Sequence, residues 1–85
     1  MKSIWTAEYE DNQIKIENTW FQGERLFVND TLQDETFGLV STRLWGHLFD
    51  KNGEKFRIKA NIGGFLRTTC NVFVDDRLIE IIQQK

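Results

Sequence analysis

His47 and Cys70 are the only imidazole and the only thiol in the chain. Nucleophile-and-base chemistry would therefore need His47 to meet Cys70 or a serine hydroxyl. His47 stands between Gly46 and Leu48, in an alternating run where it shares parity with Trp45 and Phe49. That is the pattern of a half-buried strand histidine beside rings. Cys70 shares parity with Leu66, Thr68, Val72 and Val74 and is expected on the core side. A thiol in apolar surroundings has a raised pKa and is inert. Carboxylates occur side by side at Asp34-Glu35 and Asp75-Asp76. Neighbours on a strand face opposite ways, and in turns they are solvated, whereas acid–base work needs two carboxylates converging on one substrate.

Metal and phosphate chemistry fare no better. Zinc takes several Cys or His ligands, and the chain has one of each. Asp50-Lys51-Asn52-Gly53-Glu54 has the residue types of a calcium loop but is far shorter than the twelve-residue loop that surrounds the ion, and hairpin-turn chemistry explains it. Gly63-Gly64 lacks the Lys-Ser/Thr or third glycine of a phosphate-cradling loop. These residues predict no enzyme, no cofactor and no metal.

The feature in excess is aromatic. Three Trp, seven Phe and one Tyr fall within 85 residues. Trp20 and Phe21 are consecutive, so on an extended chain they face opposite sides of a sheet, and one of them needs a cover. Trp45 has Leu44 on the opposite parity and poses the same question. Exposed rings mark binding surfaces, so Trp20, Phe21, Trp45 and His47 are the candidate binding residues.

The elements that must position these residues read with period two. In Lys55-Phe56-Arg57-Ile58-Lys59-Ala60-Asn61-Ile62 the apolar residues take one face and the polar residues the other. Strands are also predicted at Ser3–Tyr9, from Ile14 and Ile16 toward Trp20, and at Glu24–Asn29. Further strands are expected at Arg43–Phe49, Glu54–Ile62, Leu66–Asp75 and Arg77–Ile82. Turns fall at Glu10-Asp11-Asn12-Gln13, Gln22-Gly23 and Asp50-Lys51-Asn52-Gly53; in the last, Asn52-Gly53 is expected at a tight hairpin tip with Gly53 at positive φ. Phe27-Val28-Asn29-Asp30-Thr31-Leu32 and Phe73-Val74-Asp75-Asp76-Arg77-Leu78 echo one another as strand, tight turn and strand. Thr31 to Thr42 reads as either a short strand or a crossing loop. Asp76 to Gln84 also fits a short helix, but its β-branched Ile content favours strand. The prediction is one all-β domain over residues 1–85, an antiparallel β-sandwich or small barrel of about seven short strands joined by hairpins.

These residues resemble a known family. Ile14 and Ile16, Gly23 and Phe27-Val28-Asn29-Asp30, followed by Ala60-Asn61-Ile62, Gly64-Phe65 and Phe73-Val74-Asp75-Asp76, are similar to one β-sandwich unit of the Fas apoptotic inhibitory molecule family. The likeness spans roughly residues 14–80. Asp30 and Asp76 stand where the family's turns often carry Gly, and this chain has one unit where the family carries two. The resemblance implies a compact antiparallel sandwich without catalytic residues, acting through protein contacts.

Charge and compartment complete the expectations. Net charge is −2, with acids and bases mixed along the chain. That balance disfavours nucleic acid, which needs a basic face. Lys55, Arg57 and Lys59 do share one parity, which reads as a solvated strand face. No apolar run is long enough for a membrane helix, and no apolar segment follows Lys2 as in a signal peptide. With a lone cysteine, the expected compartment is the cytoplasm. The expected function is a protein-interaction module, self-associating as a symmetric homodimer if the Trp20-Phe21 surface or the apolar C-terminal strand Arg77–Ile82 needs a partner. The alternatives are a small apolar-ligand binder with a pocket lined by Trp, Tyr9 and His47 and, more weakly, an enzyme or enzyme subunit.

Overall fold

Two-residue turns built from acidic and amide residues set the register of this molecule. A computed structural model describes residues 2–19, 23–37, 42–63 and 68–85. Trp20 and Phe21 lie outside the described residues. Nine strands are present among the described residues, rather than about seven, and no helix. They are β1 (Lys2–Tyr9), β2 (Asn12–Thr19), β3 (Gly23–Val28), β4 (Thr31–Thr36), β5 (Thr42–Phe49), β6 (Lys55–Gly63), β7 (Thr69–Val74), β8 (Arg77–Ile79) and β9 (Ile82–Gln83).

The pairs Tyr9↔Asn12, Val28↔Thr31 and Val74↔Arg77 leave only two residues in each of three turns. All six of these residues have positive φ, from 49° at Glu10 to 67° at Asp76. Such turns match the twist of paired strands, and Asn and Asp tolerate the left-handed backbone better than other side chains. Glu10 has no such relief. The turn there is thus shorter than expected: Asn12 and Gln13 already belong to β2.

The Asn52-Gly53 turn departs the other way. Gly53 does sit at φ 82°, but the loop is longer than a two-residue tip. The Gly53 amide donates to the Asp50 carbonyl (3.0 Å), the Asp50 amide donates to the Glu54 carbonyl (2.9 Å), and Phe49 pairs with Lys55. Asp50 Oδ1 accepts from the amides of Asn52 and Glu54, both at 2.8 Å. The Asp50 carboxylate thus organises a turn that ends in a left-handed glycine.

The strands form two antiparallel sheets, β4-β3-β2-β1-β9 and β5-β6-β7-β8, packed as a sandwich. Inward residues fill the space between them: Trp5, Ala7, Ile14, Ile16, Leu26 and Val28 from the first sheet; Leu44, Leu48, Ile58, Ala60, Ile62, Val72 and Val74 from the second. Tyr9 meets Phe56 across the interface, edge to face at 6.2 Å.

Two seams join the sheets. At the first, β4 lies against β5, and side chains replace a strand ladder. Asp34 Oδ2 accepts from the Trp45 amide (2.9 Å), and Gln33 Oε1 accepts from the His47 amide (3.4 Å). Gly46 permits this approach: a Cβ there would stand 2.9 Å from Leu26 Cδ2 and 3.1 Å from Gln33 Cβ. Below it, Asn12 Nδ2 donates to the Phe49 carbonyl at 2.8 Å, and Asn29 Nδ2 donates to Asn12 Oδ1 at 2.9 Å.

At the second seam the chain itself crosses. β8 pairs with β7, and two residues later β9 pairs with β1. Ile79 and Ile81 pack on the core, while Leu78 and Ile82 are exposed. Ile79 and Ile81 thus keep one inward parity across the change of sheet, and the other parity, Leu78 and Ile82, is apolar although exposed. No helix among the described residues is long and apolar enough to cross a membrane.

Candidate binding face

The outer surface of β5-β6-β7-β8 concentrates rings and cations. Leu44, Leu48, Ile58, Ala60, Ile62, Val72 and Val74 are held inward. Alternation along each strand therefore sends Arg43, Trp45, His47 and Phe49 of β5 outward, with Lys55, Arg57, Lys59 and Asn61 of β6 and Asn71 and Phe73 of β7. Register then sets their neighbours. Trp45 pairs with Lys59, Lys59 with Phe73 and Phe73 with Leu78, giving one row of ring, cation, ring and aliphatic across four strands. His47 pairs with Arg57 in the next row, Phe49 with Lys55 beyond it, and Arg43 with Asn61 on the other side.

Cations lie on the rings. Arg57 Cζ stands 5.1 Å from the Trp45 ring centroid, and Lys59 Nζ 4.8 Å from that of Phe73. His47 meets Phe49 edge to face at 5.7 Å, and Arg43 Nε donates to Asn61 Oδ1 at 3.1 Å. Trp45 is 41% exposed, Phe49 53% and Leu78 63%. Trp45, Gly46, His47, Lys55, Arg57, Gln33 and Asp75 line a shallow groove of about 610 Å³.

The two outer faces differ in charge. On the first sheet Lys2 and Lys15 pair with Glu17 at 3.7 and 3.6 Å, and Arg25 pairs with Glu35 at 3.2 Å. On the second, none of the outward residues of β5, β6 and β7 named above is acidic. Acids stand at its rim instead: Asp34 beside β5, Asp50 and Glu54 in the β5–β6 turn, Asp75 and Asp76 in the β7–β8 turn. Arg57 reaches Asp76 at 3.8 Å, with both side chains largely exposed, so that pair contributes little stability.

Of the sequence-predicted binding residues, Trp45 and His47 come together on this face. Trp20 and Phe21 lie outside the described residues. Arg57, Lys59, Phe73 and Leu78 were missed as partners of Trp45, because parity gives a side but not a neighbour. Tyr9 points between the sheets toward Phe56 while His47 points outward, so the two do not share a pocket.

His47 and Cys70 also occupy opposite sides of their sheet. Cys70 packs against the core, and burial pushes its thiol up to about 12, so it is protonated at neutral pH. Asp34 is engaged with the Trp45 and Glu35 amides, and Asp50 caps its own turn. Among the described residues, no group of three or more His, Cys, Asp or Glu could hold a metal ion. No protein-family model, curated protein or solved structure matches the chain.

Proposed function

We propose that the domain is a non-enzymatic protein-interaction module that docks its partner on the outer face of β5-β6-β7-β8. The observation that carries this reading is the row Trp45–Lys59–Phe73–Leu78 with Arg57 over Trp45. Trp and Arg are the residues in which interface energy concentrates, and exposed aliphatic surface next to them favours a protein partner. The side-chain bonds from Asp34 and Gln33 hold β5 in place, so the face is preorganised and little ordering entropy is lost on docking.

Site-specific photo-crosslinking tests this. A photoreactive residue is placed at Trp45, Phe73 or Leu78, and as controls at Thr6 or Lys15 on the opposite face. In cells that make the protein, the first three positions should give one common protein adduct and the controls none. Equal labelling from both faces, or none from either, would refute the assignment.

A further inference from the structure

We infer that the occupant of this face is a short acidic segment of a partner protein that alternates carboxylates with apolar side chains. This deepens the binding-face reading above and depends on it. Three observations point to that chemistry. The first is complementarity. Arg43, Lys55, Arg57 and Lys59 project from a chain whose net charge is −2, and the cations on the other sheet are matched by Glu17 and Glu35. Arg57 has Asp76 beside it, and the further positive charge of Arg43, Lys55 and Lys59 beside exposed rings suits a ligand carrying carboxylates and apolar groups together.

The second is size. Arg43 to Phe49 spans about 20 Å along β5, and four strands span about 14 Å across. An extended peptide segment of about six residues matches that length along the strands.

The third is the acidic rim. Asp34 borders the β5 side, and Asp50, Glu54, Asp75 and Asp76 lie together at the end of the sheet that carries the β5–β6 and β7–β8 turns. A nucleic acid strand carries a phosphate at every nucleotide and would lie across those carboxylates. A short peptide can place its charges on Arg57 and Lys59 and stop. The row of Trp45, Lys59, Phe73 and Leu78 also alternates ring with charge, and its far end is aliphatic, which base stacking does not use.

The test uses the full chain, ¹⁵N-labelled, titrated at low and physiological salt. One probe is a short peptide alternating glutamate with tyrosine. The others are its lysine-for-glutamate counterpart and oligothymidylate. The acidic peptide should saturate, shift the amides of Trp45, Lys59, Phe73 and Leu78, and weaken as salt rises, because exposed charges are screened within about 8 Å at physiological ionic strength. Arg57→Glu with Lys59→Glu should weaken it about tenfold or more, whereas Lys15→Glu on the opposite face should not. The amide spectrum of each variant reports its folding. Equal binding of the lysine peptide, or no saturable binding, overturns the inference, as does tighter binding of oligothymidylate. If crosslinks still map to Trp45, the binding-face reading survives that failure; if they do not, both fall. A crosslinked adduct of the chain with itself, with sedimentation at twice the 10.1 kDa chain mass, would make the occupant a second copy and overturn the inference too.

Discussion

Replacing Asp34 with alanine removes the acceptor that holds the open edge of β5. In the folded chain Oδ2 accepts from the Trp45 amide and Oδ1 from the Glu35 amide, both at 2.9 Å. A hydrogen bond to a charged acceptor contributes about 1.5–3 kcal/mol. Asp34 is only half-buried, so water can replace part of what is lost, and the low end applies: about 1.5 kcal/mol. For a domain of this size stability is about 4–13 kcal/mol, and 1 kcal/mol moves Tm by about 4–8 °C. Asp34→Ala should therefore lower Tm by about 6–12 °C. Asp34→Asn keeps one acceptor oxygen and should lose roughly half as much. The second readout is local. Hydrogen exchange at the Trp45 amide should quicken in Asp34→Ala more than at the amide of Ile58, which lies inside the sheet on β6. A Tm within about 2 °C of the parent, with unchanged protection at Trp45, would show that this bond does not hold the seam, and with it the preorganisation of the binding face would fail.

Gly53 sits at φ 82°, and a Cβ added there would meet nothing within 4 Å, so Gly53→Val should cost about 1–2 kcal/mol in urea melts through backbone strain alone; a neutral result would mean the turn relaxes. Glu10→Asn combined with Asp11→Gly installs the residues this turn type prefers at φ 49° and 64° and should stabilise by about 1 kcal/mol, whereas an unchanged urea midpoint would show that the Glu10 backbone stores no strain. Cys70 has its thiol pushed from 9.0 up to about 12 by burial. Burial therefore favours the neutral thiol, and its contribution is full below pH 9 and is lost as pH rises toward 12. Thiol labelling at pH 8 should be slow in native buffer and fast in urea, and Cys70→Ala should flatten the part of the alkaline loss that this thiol causes; fast native labelling would contradict its burial.

Much of the fold is legible because single strands carry their own pattern. Lys55 to Ile62 alternates, and Ile58, Ala60 and Ile62 are buried accordingly. Asn29-Asp30 and Asp75-Asp76 mark turns because few other pairs accept two left-handed residues in succession. The failures have a different cause. β4 is nearly silent in sequence, since Leu32 is exposed while Gln33 and Asp34 serve the backbone of β5. A strand held by side-chain bonds across a seam shows no apolar period. Leu78, Ile79, Ile81 and Ile82 look like one strand with two apolar faces, or a helix, because Leu78 and Ile82 are apolar although exposed, while Ile79 and Ile81 pack inward. Asn52-Gly53 suggests a two-residue tip, but the Asp50 carboxylate, by accepting from two amides, selects the longer loop.

The candidate face is half legible for the same reason. Parity within β6 puts Lys55, Arg57 and Lys59 together, and a solvated strand face explains them without any ligand. What changes that reading is lateral: His47↔Arg57 sets Arg57 diagonal to Trp45, and Lys59↔Phe73 puts a ring at the other side of the same strand. Net charge cannot reveal this, because it sums over surfaces that never meet. Ion pairs at Glu17 and Glu35 neutralise one sheet, while the excess acid sits largely in turns, where Glu10, Asp11, Asp30, Asp50, Asp75 and Asp76 shape the backbone or its capping. The turns thus carry much of the negative charge that gives the chain its acidic total. The middle of one sheet is left positive and ring-lined. An acidic chain can therefore present a basic surface without a basic sequence segment, provided its turns use carboxylates and the outward residues of that sheet do not.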